Sequence, residues 1–454
     1  MQQIDGMDRS AVHQAIVAAQ HERDRPSLIV ARTVIGYGAP EAGTASMHSD
    51  PLSPEATAAT RENLGWPEET FYVPGEVLEY MRQAVERGAE AEQSWHDRWD
   101  AYAEEYPELA ATLKRMIDRE LPEGWDAELP RYEVGDKPDA TRNYSGKALN
   151  ALAKHLPELI GGSADLTPST KTTIEGDEDF QPGSYDQRNI HFGVREHAMG
   201  AAVNGMALHG GVLPFGATFM VFTDYMRPAI RLSAISEAQV VWVLTHDSIG
   251  VGEDGPTHQP IEQVPALRAI PDLLVIRPAD GNETSVAWRE AIAYRDGPTL
   301  LSLTRQKVPV LEGTAEKAWD GVPRGGYILR DCAGEPDLIL IASGSEVQLV
   351  LEAAATLSEE GAAVCAVSMP ALHRFLEQDQ AYRDSVLPPS VRARLAVEAA
   401  TPHDWHQVVG LDGAVIGLER FGASAPGERV LHELGFNVEN VLEHARRLLE
   451  GARV

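Results

Sequence analysis

Four short apolar runs, at residues 158–161, 239–245, 272–277 and 299–305, recur through the middle of the chain with helical stretches between them. A run that is apolar throughout, rather than at alternate positions, suits a strand buried on both faces of a parallel sheet covered by helices. The pattern therefore predicts an α/β fold built on a doubly wound parallel sheet. The alternation resumes near the carboxy terminus. A run at 337–342, a Gly-Ser-Glu turn, a helix to about residue 360 and a run at 363–368 make one βαβ unit, and 394–398 and 414–418 supply further strands. This is a separate carboxy-terminal α/β domain. At its turn, Gly344-Ser-Glu can be read as an anion site at a helix start or as an ordinary connection capped by Ser345.

Two stretches break the pattern. Between 121 and 141, Pro122, Gly124, Pro130, Gly135 and Pro138 stand among charges without periodicity, and 308–325 is similarly irregular; both read as linkers. In front of the first, Asp8 can cap a helix to about Arg23, and the run 27–34 reads as a buried parallel strand. Ser53-Pro54 opens another helix, and a long charged helical region from about Gly75 to Glu120 is interrupted near Pro107. The division is thus 1–120, a linker at 121–141, a middle domain at 142–310 and a carboxy-terminal domain at 325–454.

A formal net charge of −30 argues against nucleic acid or an anionic membrane as a partner. Seven lysines stand against 32 arginines, which fits either a salt-adapted surface or a base-composition bias. No apolar run approaches bilayer length, and the first residues lack the features of a signal peptide. The two cysteines, Cys332 and Cys365, make no disulfide framework and point to a reducing, cytoplasmic location.

Candidate chemistry gathers in four stretches of the middle domain: Gly161-Gly-Ser-Ala-Asp-Leu-Thr-Pro-Ser169, His191-Phe-Gly-Val-Arg-Glu-His-Ala-Met199, Ala217-Thr-Phe-Met-Val-Phe-Thr-Asp-Tyr225, and Thr245-His-Asp-Ser-Ile-Gly-Val-Gly-Glu-Asp-Gly-Pro-Thr-His-Gln-Pro260. Glu196 precedes an apolar segment that reads as a buried helix. It is either a capping or ion-pair carboxylate, or a carboxyl in an apolar site able to share a proton with a ring nitrogen. Phe219, Phe222 and Tyr225 recur every third residue, as on one helix face, and serve either as core or as a cage for a flat heteroaromatic ring. The glycine-rich loop from His246 to His258 favours hydrogen bonding to a polyhydroxylated ligand over a metal site. Arg142 and Arg305 are candidates for anion binding, the latter at the end of a parallel strand.

Taken together, "GGSADLTPS", "GVREHAM" and "THDSIGVGEDGPTHQP" resemble the transketolase family, over essentially the whole chain from Ile4-Asp-Gly onward. The resemblance implies that the middle domain is a pyrimidine-type, thiamin-diphosphate-binding domain. It further implies that Glu196 contacts the aminopyrimidine ring, that Phe219, Phe222 and Tyr225 surround it, and that Asp165 lies near the cofactor. Arg142, Ser169, His246 and Arg305 would hold a sugar phosphate, with Asp254 at a substrate hydroxyl, His258 at the donor carbonyl and His48 as a further substrate contact. The implied reaction transfers a two-carbon ketol group from a ketose phosphate, such as xylulose 5-phosphate or sedoheptulose 7-phosphate, to an aldose phosphate.

The family's Gly-Asp-Gly motif and following asparagine, which bind magnesium or calcium and through it the diphosphate, are not found in a plausible context. The sequence therefore predicts that 1–120 is a remnant of the diphosphate-binding domain, with most of that segment missing in front of Met1. No metal ligands are assigned, and the chain alone is expected to be inactive. Ala45, in Gly43-Thr-Ala-Ser-Met-His-Ser-Asp-Pro51, stands where the family commonly has a first histidine, and His48 fits the second. Family members are dimers, so a homodimer or a companion amino-terminal chain is expected. Alternatives are a relative such as dihydroxyacetone synthase, or a silent or companion subunit of a split thiamin enzyme.

Overall fold

The computed structural model describes residues 1–452 and divides into two compact units, Met1–Glu105 and Tyr106–Val454. In the first unit, strands β1 (Gln2–Asp5) and β2 (Ile29–Arg32) pair in parallel, Gln2 opposite Ile29 and Asp5 opposite Arg32. The helix Arg9–His21 crosses between them, its start closed by the Asp8 carboxylate, which accepts from the Ser10 and Ala11 amides. The strand expected over 27–34 is shorter, and Val30, Ala31 and Arg32 are exposed. A two-stranded sheet has no second layer to bury them against, so the apolar run is not a core strand in this unit. The charged region forms the helix Gly75–Glu105, which buries no residue, and, in the second unit, the helix Pro107–Ile117, with Pro107 in its first turn.

The second unit begins its strands with β3 (Asp139–Ala140) and then builds a six-stranded parallel sheet. Its members are β4 (Leu159–Ser163), β5 (Asn189–His191), β6 (Leu213–Phe219), β7 (Val241–Thr245), β8 (Leu274–Ile276) and β9 (Thr299–Leu303). The order β5-β4-β6-β7-β9-β8 reverses direction between β4 and β6, as in a doubly wound sheet. Then β10 (Lys307–Val308) returns antiparallel to β3. A second sheet holds β11 (Tyr327–Arg330), β12 (Leu338–Ala342), β13 (Val364–Ser368), β14 (Arg394–Val397) and β15 (Ala414–Ile416). Its order is β11-β13-β12-β14-β15, with only β11 antiparallel.

One core runs through both sheets of this unit, joining Leu149, Phe215 and Trp288 to Leu340 and Val397. A second cluster under the helices Glu196–His209 and Thr223–Ile235 packs Met199, Val203, Met226 and Ile230 around Trp242. Neither irregular stretch is a loose tether. Leu129 is buried, the Tyr132 amide donates to Asn282 at 2.9 Å, and Arg289 donates to the Asp126 carboxylate at 2.9 Å. Within 308–325 lies the helix Thr314–Gly321, with Ala318 fully buried. Both segments lack periodicity because they run as straps over a surface already formed.

The helix after Glu196 also differs from expectation. Its inner face, with Met199, Gly200 and Val203, is buried, but Ala198, Ala201, Ala202, Gly205 and Leu208 are exposed. At the Gly-Ser-Glu turn, Ser345 caps nothing; its hydroxyl donates to Glu346 at 2.6 Å. Gly344 has φ +58°, and a Cβ there would lie 2.6 Å from the Arg277 guanidinium carbon. The glycine lets a buried arginine reach Glu346, so neither the anion site nor the cap is present.

Candidate active site at the carboxyl edge of the middle sheet

All six strands of the middle sheet are parallel, so their carboxyl ends share one edge, where open α/β sheets bind ligands. Phe219 ends β6, His246 follows β7, Asp165 follows β4, Glu196 follows β5 and Arg305 follows β9. The aromatic trio is not one helix face. Phe219 ends a strand, Phe222 lies in a 3-10 turn and Tyr225 in the helix Thr223–Ile235. The rings nevertheless come together. Phe219 and Phe222 stack at 5.8 Å with planes 9° apart, and Tyr225 lies 6.2 Å from Phe222. The His246 ring stacks on Phe219 at 3.6 Å, and His258 meets Phe222 edge-on at 5.6 Å.

Glu196 is buried at the first position of its helix. Arg195 does not pair with it, because its guanidinium donates to the Phe192 carbonyl at 2.7 Å. Among the described residues no hydrogen bond or ion pair reaches the Glu196 carboxylate. The capping and ion-pair reading is therefore not what the geometry supports. The Glu196 carboxylate oxygens are thus free to bond to a group that brings a donor.

Arg142 donates to the Ser169 carbonyl at 2.9 Å and to His246 Nε2 at 3.3 Å. Since arginine only donates, Nε2 accepts, and Nδ1 carries the proton toward the Thr245 hydroxyl at 2.8 Å. Burial first, then the charges of Arg142 and Arg305, push His246 down to about 3, so it is neutral at physiological pH. Burial and the neighbouring Arg305 likewise lower Arg142. Two arginines held this close present a site for an anion. Arg305 itself donates to the Val251 carbonyl at 3.0 Å.

The arginines are aligned by a buried threonine pair. The Thr141 amide donates to the Thr304 hydroxyl at 3.0 Å, and the Thr304 amide donates to the Thr141 hydroxyl at 2.7 Å. Thr304→Val leaves the buried Thr141 amide unpaired, so a loss of about 1–3 kcal/mol is expected in urea denaturation. Anion affinity should weaken with it as Arg142 loosens.

The loop from His246 to His258 is held in place despite its glycines. His246, Asp247, Ile249 and Val251 are buried, and the Gln259 amide group donates to the Gly252 and Ala423 carbonyls at 2.8 and 2.9 Å. Gly252, at φ +89°, lies against the backbone of Gly427, which a Cβ would meet at 2.9 Å. Asp254 and Asp165 are exposed, the latter at φ +62°. Ser169 contributes its carbonyl, not its hydroxyl, to Arg142. His48 ends the 3-10 turn Ala45–His48 in the first unit and is exposed there.

Sequence reasoning missed what lies behind the loop. Arg277 donates to Asp247 at 2.8 Å and to the Ser343 carbonyl at 2.8 Å, and pairs with Glu346. Glu398 takes both terminal nitrogens of Arg268 at 2.7 Å and the Trp405 indole at 2.8 Å. This buried set joins the two sheets directly behind His246. Its one sequence signal was Arg277 ending an otherwise apolar strand run.

Comparison with known proteins gives three family matches. The transketolase pyrimidine binding domain matches residues 137–310, the transketolase-like TK C-terminal domain 325–437, and the transketolase thiamine diphosphate binding domain 1–122. The third match shows that residues 1–122 belong to the thiamine diphosphate binding domain, so that domain is represented in the chain, contrary to the expectation that its segment is largely missing. Transketolase from Nostoc sp. is 53% identical over 97% of this chain and 66% of its own length. That from Geobacillus stearothermophilus is 51% identical over 98% and 67%. A crystal structure of transketolase from Pichia stipitis in complex with sedoheptulose-7-phosphate superposes with a TM-score of 0.92 at 41% identity, over 99% of this chain and 67% of that one. The chain thus spans about two thirds of the length of the relatives it matches. On sequence and structure alike, it belongs to the transketolase family.

Proposed function

We propose that the chain is a thiamin-diphosphate-dependent transferase that moves a two-carbon ketol group from a ketose phosphate to an aldose phosphate. The observation that carries the reading is a buried, unpartnered Glu196 at the same sheet edge as the Phe219–Phe222–Tyr225 stack. A flat ring with a protonatable nitrogen fits both. Thiamin diphosphate, when bound, supplies the carbon nucleophile that breaks and re-forms the carbon–carbon bond. Glu196 holds a proton at the aminopyrimidine ring nitrogen, while Phe222 packs against the ring face. Arg142 and Arg305 take the phosphate of the sugar. His258 offers a ring nitrogen to the carbonyl end, His246, kept neutral, lies with Arg142 at the sugar phosphate, and Asp254 accepts from a hydroxyl. Asp165 borders the cofactor, and Ser169 adds a substrate contact.

Magnesium or calcium, expected to bridge the diphosphate, requires oxygen ligands. Among the described residues the one cluster of metal-ligating side chains is Asp331, Cys332 and Cys365, whose thiols suit neither ion. No residue is therefore assigned to it. A cytoplasmic location is part of the same proposal and rests on cysteine usage alone. No helix of the described residues is long and apolar enough to cross a membrane.

The test is a transfer assay with purified chain, thiamin diphosphate, magnesium, xylulose 5-phosphate and an aldose phosphate. Extension of the acceptor by two carbons is expected; cofactor binding without any extension would reject the assignment. Self-association as a homodimer is supported by the outer face of the helices Glu196–His209 and Thr223–Ile235, where Leu208, Leu232 and Ile235 are exposed. Leu232→Glu is expected to shift the sedimenting species from dimer to monomer, and a wild-type chain that sediments as a monomer would refute the dimer.

A further inference from the structure

We propose that Cys332 and Cys365 form a reversible intramolecular disulfide that staples β11 to β13. They are the only two cysteines in the chain, and, although 33 residues apart, their sulfurs lie 2.9 Å from each other. Cys365 is buried in β13, opposite Ile339 of β12. Cys332 stands two residues beyond the end of β11, half-buried and open to small reagents. Packing as a small apolar side chain accounts for Cys365 but not for Cys332. The Asp331 carboxylate accepts from the Cys365 thiol at 3.5 Å, which places a proton acceptor beside the buried sulfur.

The oxidant is a low-molecular-weight disulfide. Cys332, as thiolate, attacks one of its sulfurs; that S–S bond breaks and one small thiolate leaves. Cys365 then gives its proton to Asp331 and attacks the Cys332 sulfur, and the second small thiolate leaves and takes up that proton. Two cysteine thiols are oxidised by two electrons, and one small disulfide is reduced to two thiols. Burial first, then the neighbouring Cys332 thiol, push Cys365 up to about 12, and the second contribution disappears once Cys332 is in the mixed disulfide. Asp331, Cys332 and Cys365 also form a three-ligand cluster. Among the described residues no further side chain joins them to complete a tetrahedral site.

The bond would close a loop around β12 and the helix Val347–Glu359 and pin the outer strand β11 at one end. The other end is already fixed, because the Tyr327 and Ser368 hydroxyls both donate to Glu283, at 2.7 and 2.6 Å. Cross-linking the unfolded chain should raise the melting temperature.

The test uses the full chain treated with oxidised glutathione or with dithiothreitol. Oxidation is expected to lower the intact mass by two hydrogens, remove both alkylation sites, join the two cysteine peptides in a non-reduced digest and raise the melting temperature. Dithiothreitol should reverse all four. Cys332→Ser should abolish each effect while melting like the reduced wild type, and Cys365→Ser checks the buried partner. Thiols that stay alkylatable, glutathione retained on Cys332 without a cross-link, or zinc bound stoichiometrically by the reduced pair would each overturn the proposal.

Discussion

Glu196→Gln is expected to lower two-carbon transfer by about 10²–10⁴-fold, the usual contribution of a positioned proton-transfer group, with the fold unchanged. Glutamine keeps the shape of the side chain and its place in the first turn of the helix Glu196–His209. Arg195 is occupied with the Phe192 carbonyl, so no salt bridge is lost. What goes is the ability to hold a proton at the ring nitrogen. Proton exchange at the thiazolium carbon, followed by NMR after deuterium quench, should therefore fall in parallel with turnover. Normal exchange in this variant would remove Glu196 from proton handling, even if turnover were lower.

The second large effect is on stability. Arg277→Met is expected to cost about 3–5 kcal/mol in denaturant unfolding, because it strands Asp247 and Glu346 as buried charges. The same network sets the response to acid. For Glu398, burial alone would raise the pKa, but Arg268 and Arg277 outweigh it and hold the carboxyl at about 2, below its ordinary 4.5. The folded state therefore binds this proton less readily than the unfolded state. The resulting stability is present above 4.5 and is lost as pH falls toward about 2. His246 has the same sign. Its pKa, lowered from 6.5 to about 3, means that the unfolded chain takes up a proton first, so stability falls with pH across that window and not below it. His246→Gln should flatten the slope between those two values while leaving the Glu398 region intact. An unchanged slope would mean that the buried ring is not the titrating group.

The strands that were legible are those that satisfy one rule: β7, β9, β12 and β13 are continuous apolar runs buried on both faces. Strand β6 escaped because Leu213-Pro-Phe-Gly-Ala-Thr-Phe219 carries the residues that ordinarily mark turns. Packing explains them. A Cβ on Gly161 of β4 would sit 2.1 Å from the Phe215 carbonyl, and one on Gly216 would press the Trp242 ring at 3.0 Å. The glycines permit close approach inside the sheet rather than a break. The period of three in Phe219, Phe222 and Tyr225 suggested a helix face, whereas the rings meet across a strand end, a turn and a helix start. Motifs pointed to Glu196 and His246, each in a distinctive local string, whereas Arg142 and Arg305 stood out by position, after the first linker and at the end of a strand. The Arg277 network could not be read in this way, since its partners come from positions 247, 343, 346 and 398, which only the two sheets bring together.

The most direct test of the central claim is a crystal structure of this chain with thiamin diphosphate and magnesium. The expected result is the aminopyrimidine ring stacked on Phe222, with its ring nitrogen hydrogen-bonded to the Glu196 carboxylate and Phe219 and Tyr225 around it. A ring bound elsewhere, or with Glu196 turned away from the nitrogen, would contradict the account.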